Sequence, residues 1–218
     1  MPALISVLVM AAGRGERFSG RKQFFNFGES TVAGRACSLF KNLEEVTNIY
    51  LVYPPDMSFR KVKKEGKIPP GVEFVKGGLI REESVEKGLE KVKSEYVLIH
   101  DAARPFCRPE VIKRVIAEMK ISGAAAAALT PDSSVVYREE KGSFVTLDRD
   151  RVYLIQTPQG YRSEDIRRAY ACRGRGGYTD SSSVARQAGI MVKMVEGDKG
   201  NIKITRRGDY DAAVGGEK

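Results

Sequence analysis

The chain has 218 residues, 42% of them hydrophobic, and carries 37 Lys and Arg against 28 Asp and Glu, a net charge of +9. That length and apolar content suit one good-sized core, so one domain over residues 1–218 is expected. No window holds enough uninterrupted apolar residues to span a bilayer, which leaves no membrane partner, and MPALISVLVMAAG at the N-terminus has no basic leader, which predicts a cytoplasmic protein.

The positive charge fits a nucleic-acid binder or an enzyme of polyanionic small molecules. It is dispersed among acidic residues, aromatics are few and Trp is absent, so no base-stacking platform is evident and no nucleic-acid partner is expected. Three scattered cysteines, Cys37, Cys107 and Cys172, form no CxxC pair, and His100 is the single histidine. A structural zinc site and a disulfide framework are both excluded on that pattern.

Short continuous apolar runs alternate with helical patterns along the chain. Leu4–Met10, Ile49–Tyr53, Glu73–Val75, Tyr96–His100, Ala124–Leu129 and Met191–Val195 are predicted strands, apolar on both faces as buried parallel strands are. The alanines at 124–128 fit a strand or an extension of the preceding helix. Helical patterns cover Thr31–Lys41, Ser58–Lys64, Glu82–Lys93, Pro109–Ile121, Ser163–Cys172 and Thr179–Ala188. The alternation predicts an α/β fold, a mainly parallel sheet of Rossmann-like type with helices on both faces, binding its ligand at the strand carboxyl ends. Ser134–Tyr137 and Ser143–Leu147 break the rhythm. They flank a turn at Lys141-Gly142 and predict an inserted β-hairpin at roughly 132–152, either a dimerisation arm or an edge excursion of the sheet.

The first predicted strand runs into VLVMAAGRGERFSGRKQFFNFG, which packs Arg14, Arg17, Arg21 and Lys22 around glycines. The stretch fits neither G-x-G-x-x-G, because Phe18 stands at the third glycine, nor the P-loop, because Arg21-Lys22-Gln23 follows Gly20. A glycine-containing loop after a strand turns amides toward an anion, and the cations neutralise what amides cannot, so a triphosphate is a natural guest; a solvated basic loop is the plainer reading. Asp101 follows a buried strand, where Mg²⁺ is commonly held in phosphoryl transfer, and Arg104 comes three residues later. In KGGLIREES, Gly77-Gly78 and Ser84 read as a turn and cap or as a place where backbone approaches a nucleobase. EGDKGNIKIT carries Lys203, predicted on a short strand.

Taken together and in this order, AAGxGxR, Lys-Gln, GGxxRxxSV, DAARP, TPQ, a Thr-Asp pair and NIKIT resemble the 2-C-methyl-D-erythritol 4-phosphate cytidylyltransferases over Ala11 to Thr205. AAGxGxR marks only the broad nucleotidyltransferase class; DAARP with NIKIT is far more specific, although ribitol-5-phosphate cytidylyltransferases share much of the set. The resemblance implies transfer of a cytidylyl group from CTP to a sugar-alcohol phosphate, here methylerythritol 4-phosphate with ribitol 5-phosphate as the alternative acceptor. It also implies Mg²⁺, and a homodimer whose arms help close the partner's site. A non-catalytic nucleotide-binding module is the rival from another class.

By the same resemblance, Arg17 and Lys22 stabilise the transition state. Ala11, Ala12, Gly13, Gly78, Ser84 and Ala102 surround the nucleotide, and Asp101 is the metal-side aspartate. Arg104, Arg149, Thr157, Thr179 and Lys203 line the acceptor side, with Arg149 and Lys203 also counted as catalytic. Three departures stand out: Arg21 in place of a proline, the run Asp132-Ser133-Ser134-Val135, and Ser181 where an acidic residue commonly follows the Thr-Asp pair.

Overall fold

The computed structural model describes residues 4–13, 15, 18, 20–140, 142–174 and 177–215. A strand β1 (Ile5–Met10) leads through a 3₁₀ turn at Lys22–Phe24 and a small ladder, β2 (Asn26–Phe27) and β3 (Ser30–Thr31), into helix α1 (Val32–Ser38). Then follow β4 (Val46–Tyr53), α2 (Phe59–Glu65), β5 (Val72–Lys76), α3 (Arg81–Leu89), β6 (Tyr96–Asp101), α4 (Pro109–Ser122) and β7 (Ala124–Leu129). The hairpin strands β8 (Val135–Arg138) and β9 (Phe144–Leu147) precede β10 (Leu154–Arg162), α5 (Ser163–Ala171), α6 (Ser181–Gln187), β11 (Lys193–Glu196) and α7 (Arg207–Gly215).

Seven strands form one sheet in the order β11-β7-β10-β6-β1-β4-β5. All neighbours are parallel except β10, which runs antiparallel to both β6 and β7. The expected mainly parallel sheet is therefore present, with one reversed strand inside it.

Alternation along β1 shows how the sheet is sandwiched. Ile5, Val7 and Val9 join a core with α1 and α4, through Ala36, Phe40, Val111 and Val115. Leu8 points the other way, into a core with α3, α5 and α6, through Val85, Leu89, Ile166 and Val184. Helices thus cover both faces, as a parallel sheet requires. α4 shows why its sequence is helical. Pro109 occupies the first turn, Val111, Ile112, Val115, Ile116 and Met119 form a buried stripe, and Gly123 ends the helix in the left-handed conformation with its N–H on the Met119 carbonyl. Each buried side chain of that stripe contributes about 1.5–3 kcal/mol. The alanine run 124–128 is strand β7, buried along all five alanines.

Besides the short β2–β3 ladder and the 3₁₀ turns, β10 and α7 went unpredicted. β10 contains Gln156, Thr157, Pro158 and Gly160, a composition that reads as loop, and its pairing with β7 shifts register between Ile155 and Gln159, where the proline sits. α7 is short and has no buried residue of its own class. It is held by Tyr210, which meets Phe18 and Phe25 edge to face at 6.1 and 5.6 Å, while Asp209 accepts from the N–H groups of Thr205 and Arg206 at 2.7 and 2.8 Å. The residues around Lys203 form no strand, contrary to expectation. Their backbone bonds to side chains and to Ala103 instead of to a neighbouring strand.

β8 and β9 pair only with each other, from Val135↔Leu147 to Arg138↔Phe144. Gly142 takes φ +90°; Lys141, the other half of the expected turn, lies outside the described residues. Val136, Tyr137, Phe144, Val145 and Leu147 are all exposed.

Candidate active site

The carboxyl ends of β1 and β6 lie side by side, with Met10 opposite Asp101. A cavity of about 690 Å³ opens there, within the range of small-molecule sites. Its walls come from three chain segments that follow strands and one that does not. After β1 come Ala11, Ala12, Gly13, Gly15, Lys22 and Gln23; after β5, Gly78 to Arg81 and Ser84; after β6, Asp101 to Ala103. Lys203 closes the fourth side.

The loop after β1 is held at both ends. Gln23 is buried, and its side-chain amide donates to the carbonyls of Ala11 and Gly13 at 2.7 and 2.9 Å. Gly15 has φ +73°, and a Cβ there would stand 1.9 Å from the Gly20 carbonyl oxygen, so only glycine fits. Phe18 and Phe25 plug the loop into the aromatic cluster with Tyr210. Lys22, at the start of the 3₁₀ turn, is thereby carried on a braced segment at the cavity wall. Arg21 turns outward to an ion pair with Asp56. Arg17, and Arg14 of the same cationic run, lie outside the described residues.

The loop after β5 is closed by its own side chains. Ser84 Oγ accepts from Gly78 N–H at 3.0 Å and donates to the Ile80 carbonyl at 2.9 Å, while Leu79 N–H donates to Glu83 at 2.7 Å. A Cβ on Gly78 would stand 2.2 Å from that of Glu83. Ser84 thus shapes the cavity wall as well as facing it.

Asp101 is the electrostatic centre, with a side chain 14% exposed. Lys203 Nζ lies 2.6 Å from Oδ2 and Arg81 Nη2 4.0 Å from Oδ1. Burial alone would push this carboxyl up; the charges of Lys203 and Arg81, the Lys203 hydrogen bond and the charge of Arg104 outweigh it and hold the group well below the usual carboxylate range. It is a carboxylate at neutral pH.

Beneath it, a directed chain of hydrogen bonds joins β6 to β10. Asp101 N–H donates to Thr157 Oγ1 at 3.0 Å, and His100 Nε2 lies 3.0 Å from the Arg104 carbonyl. A carbonyl only accepts, so Nε2 carries the proton and Nδ1 accepts from Thr157 Oγ1 at 3.2 Å. Burial holds this imidazole at about 4, so it is neutral.

The remaining expected residues fall into two groups. Thr157 is buried with its hydroxyl engaged as above, and Arg104 donates to the Asn201 carbonyl at 2.6 Å, so both brace the site from outside the cavity wall. Arg149 and Thr179 are not brought to the cavity. Arg149 lies beyond the hairpin, bonded to the Asp132 carbonyl at 3.2 Å and near Asp150 at 3.8 Å; Thr179 is exposed, next to Asp180, which caps α6 through the Ser183 N–H at 2.8 Å.

Four residues escaped sequence reasoning. Gln23 and Arg81 are among them. Gln156 holds both the N–H and the carbonyl of Asp198, at 3.2 and 2.9 Å, and Asn201 donates to Thr157 O at 2.9 Å, so these two moor the segment that brings Lys203 in. The signal was available for Gln23, beside Lys22 in the Lys-Gln pair. It was available too for Arg81 and Asn201, which stand in GGxxRxxSV and NIKIT, whereas Gln156 has its partner 42 residues away in the chain.

This arrangement has known counterparts. A family model described as 2-C-methyl-D-erythritol 4-phosphate cytidylyltransferase matches residues 5–214. The chain belongs to that family. A cytidylyltransferase of this name from Cereibacter sphaeroides is 37% identical over 214 residues, covering 95% of this chain and 94% of the relative. One from Geobacillus kaustophilus is 34% identical over 207 residues, covering 91% and 90%. The crystal structure of 4-diphosphocytidyl-2C-methyl-D-erythritol synthase from Anaerococcus prevotii superposes with a TM-score of 0.86 at 28% identity, covering 99% of this chain and 96% of that one. Cytidylyltransferase membership thus extends over the whole described fold, the hairpin included, and the cavity sits where open α/β sheets place their ligands.

Proposed function

We propose that the chain transfers the cytidylyl group of CTP to 2-C-methyl-D-erythritol 4-phosphate, releasing pyrophosphate. Family membership over residues 5–214 supports the reaction. The observation that carries it in this chain is the meeting of Lys22, Lys203 and Asp101 at one cavity, beside a glycine loop braced on β1.

An oxygen of the acceptor phosphate attacks the α-phosphorus of CTP, and the bond to the β-phosphate oxygen breaks. The nucleophile is already an anion, so no strong base is needed, and neutral His100, engaged at both nitrogens, is not asked to act as one. The difficulty is electrostatic: two polyanions must be brought together and charge stabilised in an in-line displacement. Lys22, on the strand-exit loop, and Lys203, on a separate segment, both line the cavity, and we assign them to the nucleotide phosphates and the acceptor phosphate respectively.

The donor set fits Mg²⁺ that arrives with the nucleotide. Asp101 offers one carboxylate at the cavity, and among the described residues no group of three or more His, Cys, Asp or Glu forms a cage. Mg²⁺ commonly takes one or two carboxylates plus substrate phosphates. When bound it would neutralise phosphate charge, with Asp101 as its protein ligand and Lys203 turned to the acceptor.

A homodimer completes this reading. An isolated two-stranded ribbon is marginal in water, and β8–β9 exposes apolar side chains on its own sheet. We assign the ribbon to a second copy of the chain and Arg149 to the copy's acceptor side. No described helix is long and apolar enough to cross a membrane. A cytoplasmic location suits charged substrates and three free cysteines.

The test is pyrophosphate release by purified protein with Mg²⁺ and CTP, offering methylerythritol 4-phosphate and ribitol 5-phosphate in parallel, with UTP and ATP as controls. Release with CTP and methylerythritol phosphate alone is expected. Release only with ribitol phosphate would keep the chemistry and change the acceptor; release with neither would overturn the assignment.

A further inference from the structure

Arg81 faces the cavity but has no part in the assignment above. It is the first residue of α3, and its side chain reaches two places at once. Nη2 lies 4.0 Å from Asp101 Oδ1, and Nη1 lies 3.4 Å from the hydroxyl of Ser181, the first residue of α6. Ser181 is itself fully buried and 2.9 Å from the hydroxyl of Tyr170 on α5. Arg81 is therefore backed by neutral hydroxyls, with the Asp180 carboxylate farther along the same cap, and directed at Asp101 in front.

The Asp101 carboxylate is thus shared by two cations, one on each oxygen. They differ in mounting. Arg81 stands on a helix and is anchored behind. Lys203 stands on an irregular segment and is 42% exposed at the side chain, against 26% for Arg81. If Lys203 is to hold an incoming phosphate, it must leave Asp101. A carboxylate that keeps a second cation loses less when the first one goes, and the nearby positive charge of Arg81 weakens the pull on Lys203 meanwhile.

We propose that Arg81 is a positioning residue of this enzyme: it holds Asp101 from the side opposite Lys203 and so frees Lys203 to take the acceptor phosphate. The inference rests on the functional reading in one respect, the placement of the acceptor phosphate at Lys203. Arg81 acts through Asp101 and Lys203, not on the reacting atoms.

The test is a double-mutant cycle of Arg81→Ala and Lys203→Ala. It is read by the acceptor KM and the CTP dissociation constant, and by titration of the free protein with inorganic phosphate. Arg81→Ala is expected to raise the acceptor KM about tenfold and to leave the CTP dissociation constant within about twofold. It should add nothing to the loss already caused by Lys203→Ala. Arg81→Lys should recover most of the loss. Ser181→Ala keeps Arg81 and adds no bulk but removes the hydroxyl that anchors it from behind, and should raise the acceptor KM about threefold even if Arg81→Ala folds poorly.

Additive losses from the Arg81→Ala and Lys203→Ala variants would overturn the proposal, as would an equal change in CTP and acceptor affinity or a Ser181→Ala enzyme with an unchanged acceptor KM. If the wild type releases no pyrophosphate, the functional reading fails by itself. The phosphate titration then decides the role of Arg81: a joint, non-additive weakening sustains it and additive weakening refutes it.

Discussion

The cavity and the hairpin arm are built on opposite terms. Around the cavity every wall is tied to the sheet: Gln23 holds the first loop to the end of β1, Ser84 and Glu83 close the second, and Gln156 and Asn201 moor the third. Each of those side chains is bonded to the backbone of the same chain. The arm has two short strands paired only with each other and a face of Val136, Tyr137, Phe144, Val145 and Leu147 turned to water. Arg149, at its foot, is bonded to Asp132 and not to the cavity. A site finished inside one chain and an arm left unfinished teach that the chain divides its labour. On the proposed reading the chemistry is set by strand ends, and a second copy completes the acceptor side.

That division is open to attack at several points. The largest effect is expected at Asp101. Asp101→Asn removes the carboxylate that two cations share, and turnover should fall by about 10³-fold or more with the fold kept, as circular dichroism and pyrophosphate release would show.

Next comes complementation. Lys22→Ala and Arg149→Ala should each be nearly inactive, because one damages the cavity and the other the arm. If the arm serves the partner, mixing the two should restore roughly a quarter of wild-type activity, the share of intact sites in a randomly mixed dimer. Failure to recover activity on mixing would place Arg149 in its own chain's site.

A third test concerns the frame below the cavity. His100 is buried and neutral down to about pH 4, whereas in the unfolded chain it takes up a proton below about pH 6.5. Its contribution to stability is therefore complete above about pH 6.5 and is lost as pH falls toward 4, by about 3 kcal/mol. Asp101, with its value depressed, stays ionised in the fold, and its own contribution begins to fall only below about pH 5, where the unfolded carboxyl takes up a proton, so the decline between about pH 6.5 and 5 belongs to His100. Denaturant unfolding between those limits should show the decline in the wild type and a flatter profile in His100→Gln.

The smallest effect belongs to the arm. Phe144, 66% exposed, should tolerate Phe144→Ser at a cost below about 0.5 kcal/mol to the chain itself, while sedimentation shows weaker self-association.

These contrasts also explain how much was legible in the sequence. The strands that build the cavity floor, β1 and β6, are continuous apolar runs, and the alternation of strands with helices carries the topology. Local chemistry was equally visible at Gly15 and Lys22, in the glycine-containing loop that follows the first strand, and at Asp101, at the end of another. β10 was not legible, because Pro158 and Gly160 hide a central strand whose pairing is decided by its neighbours on both sides. Arg81 and Asn201 stand in the GGxxRxxSV and NIKIT motifs, but their roles were not legible. Their meaning lies in Ser181, 100 residues on, and in Thr157, 44 residues back, distances over which a local pattern carries no information. The expected strand at Lys203 failed for a related reason: the backbone there bonds locally to Asp198 and Gly200 and singly to Ala103, not to a ladder.

The cation cavity itself is tested most directly at Lys22. Turnover of Lys22→Ala would be measured with CTP and acceptor both saturating, alongside its CTP dissociation constant. Stabilisation of the transition state predicts a fall in kcat of about 10²–10³-fold, with CTP affinity changed by no more than about threefold. Near-normal turnover, or a loss confined to CTP affinity, would contradict it.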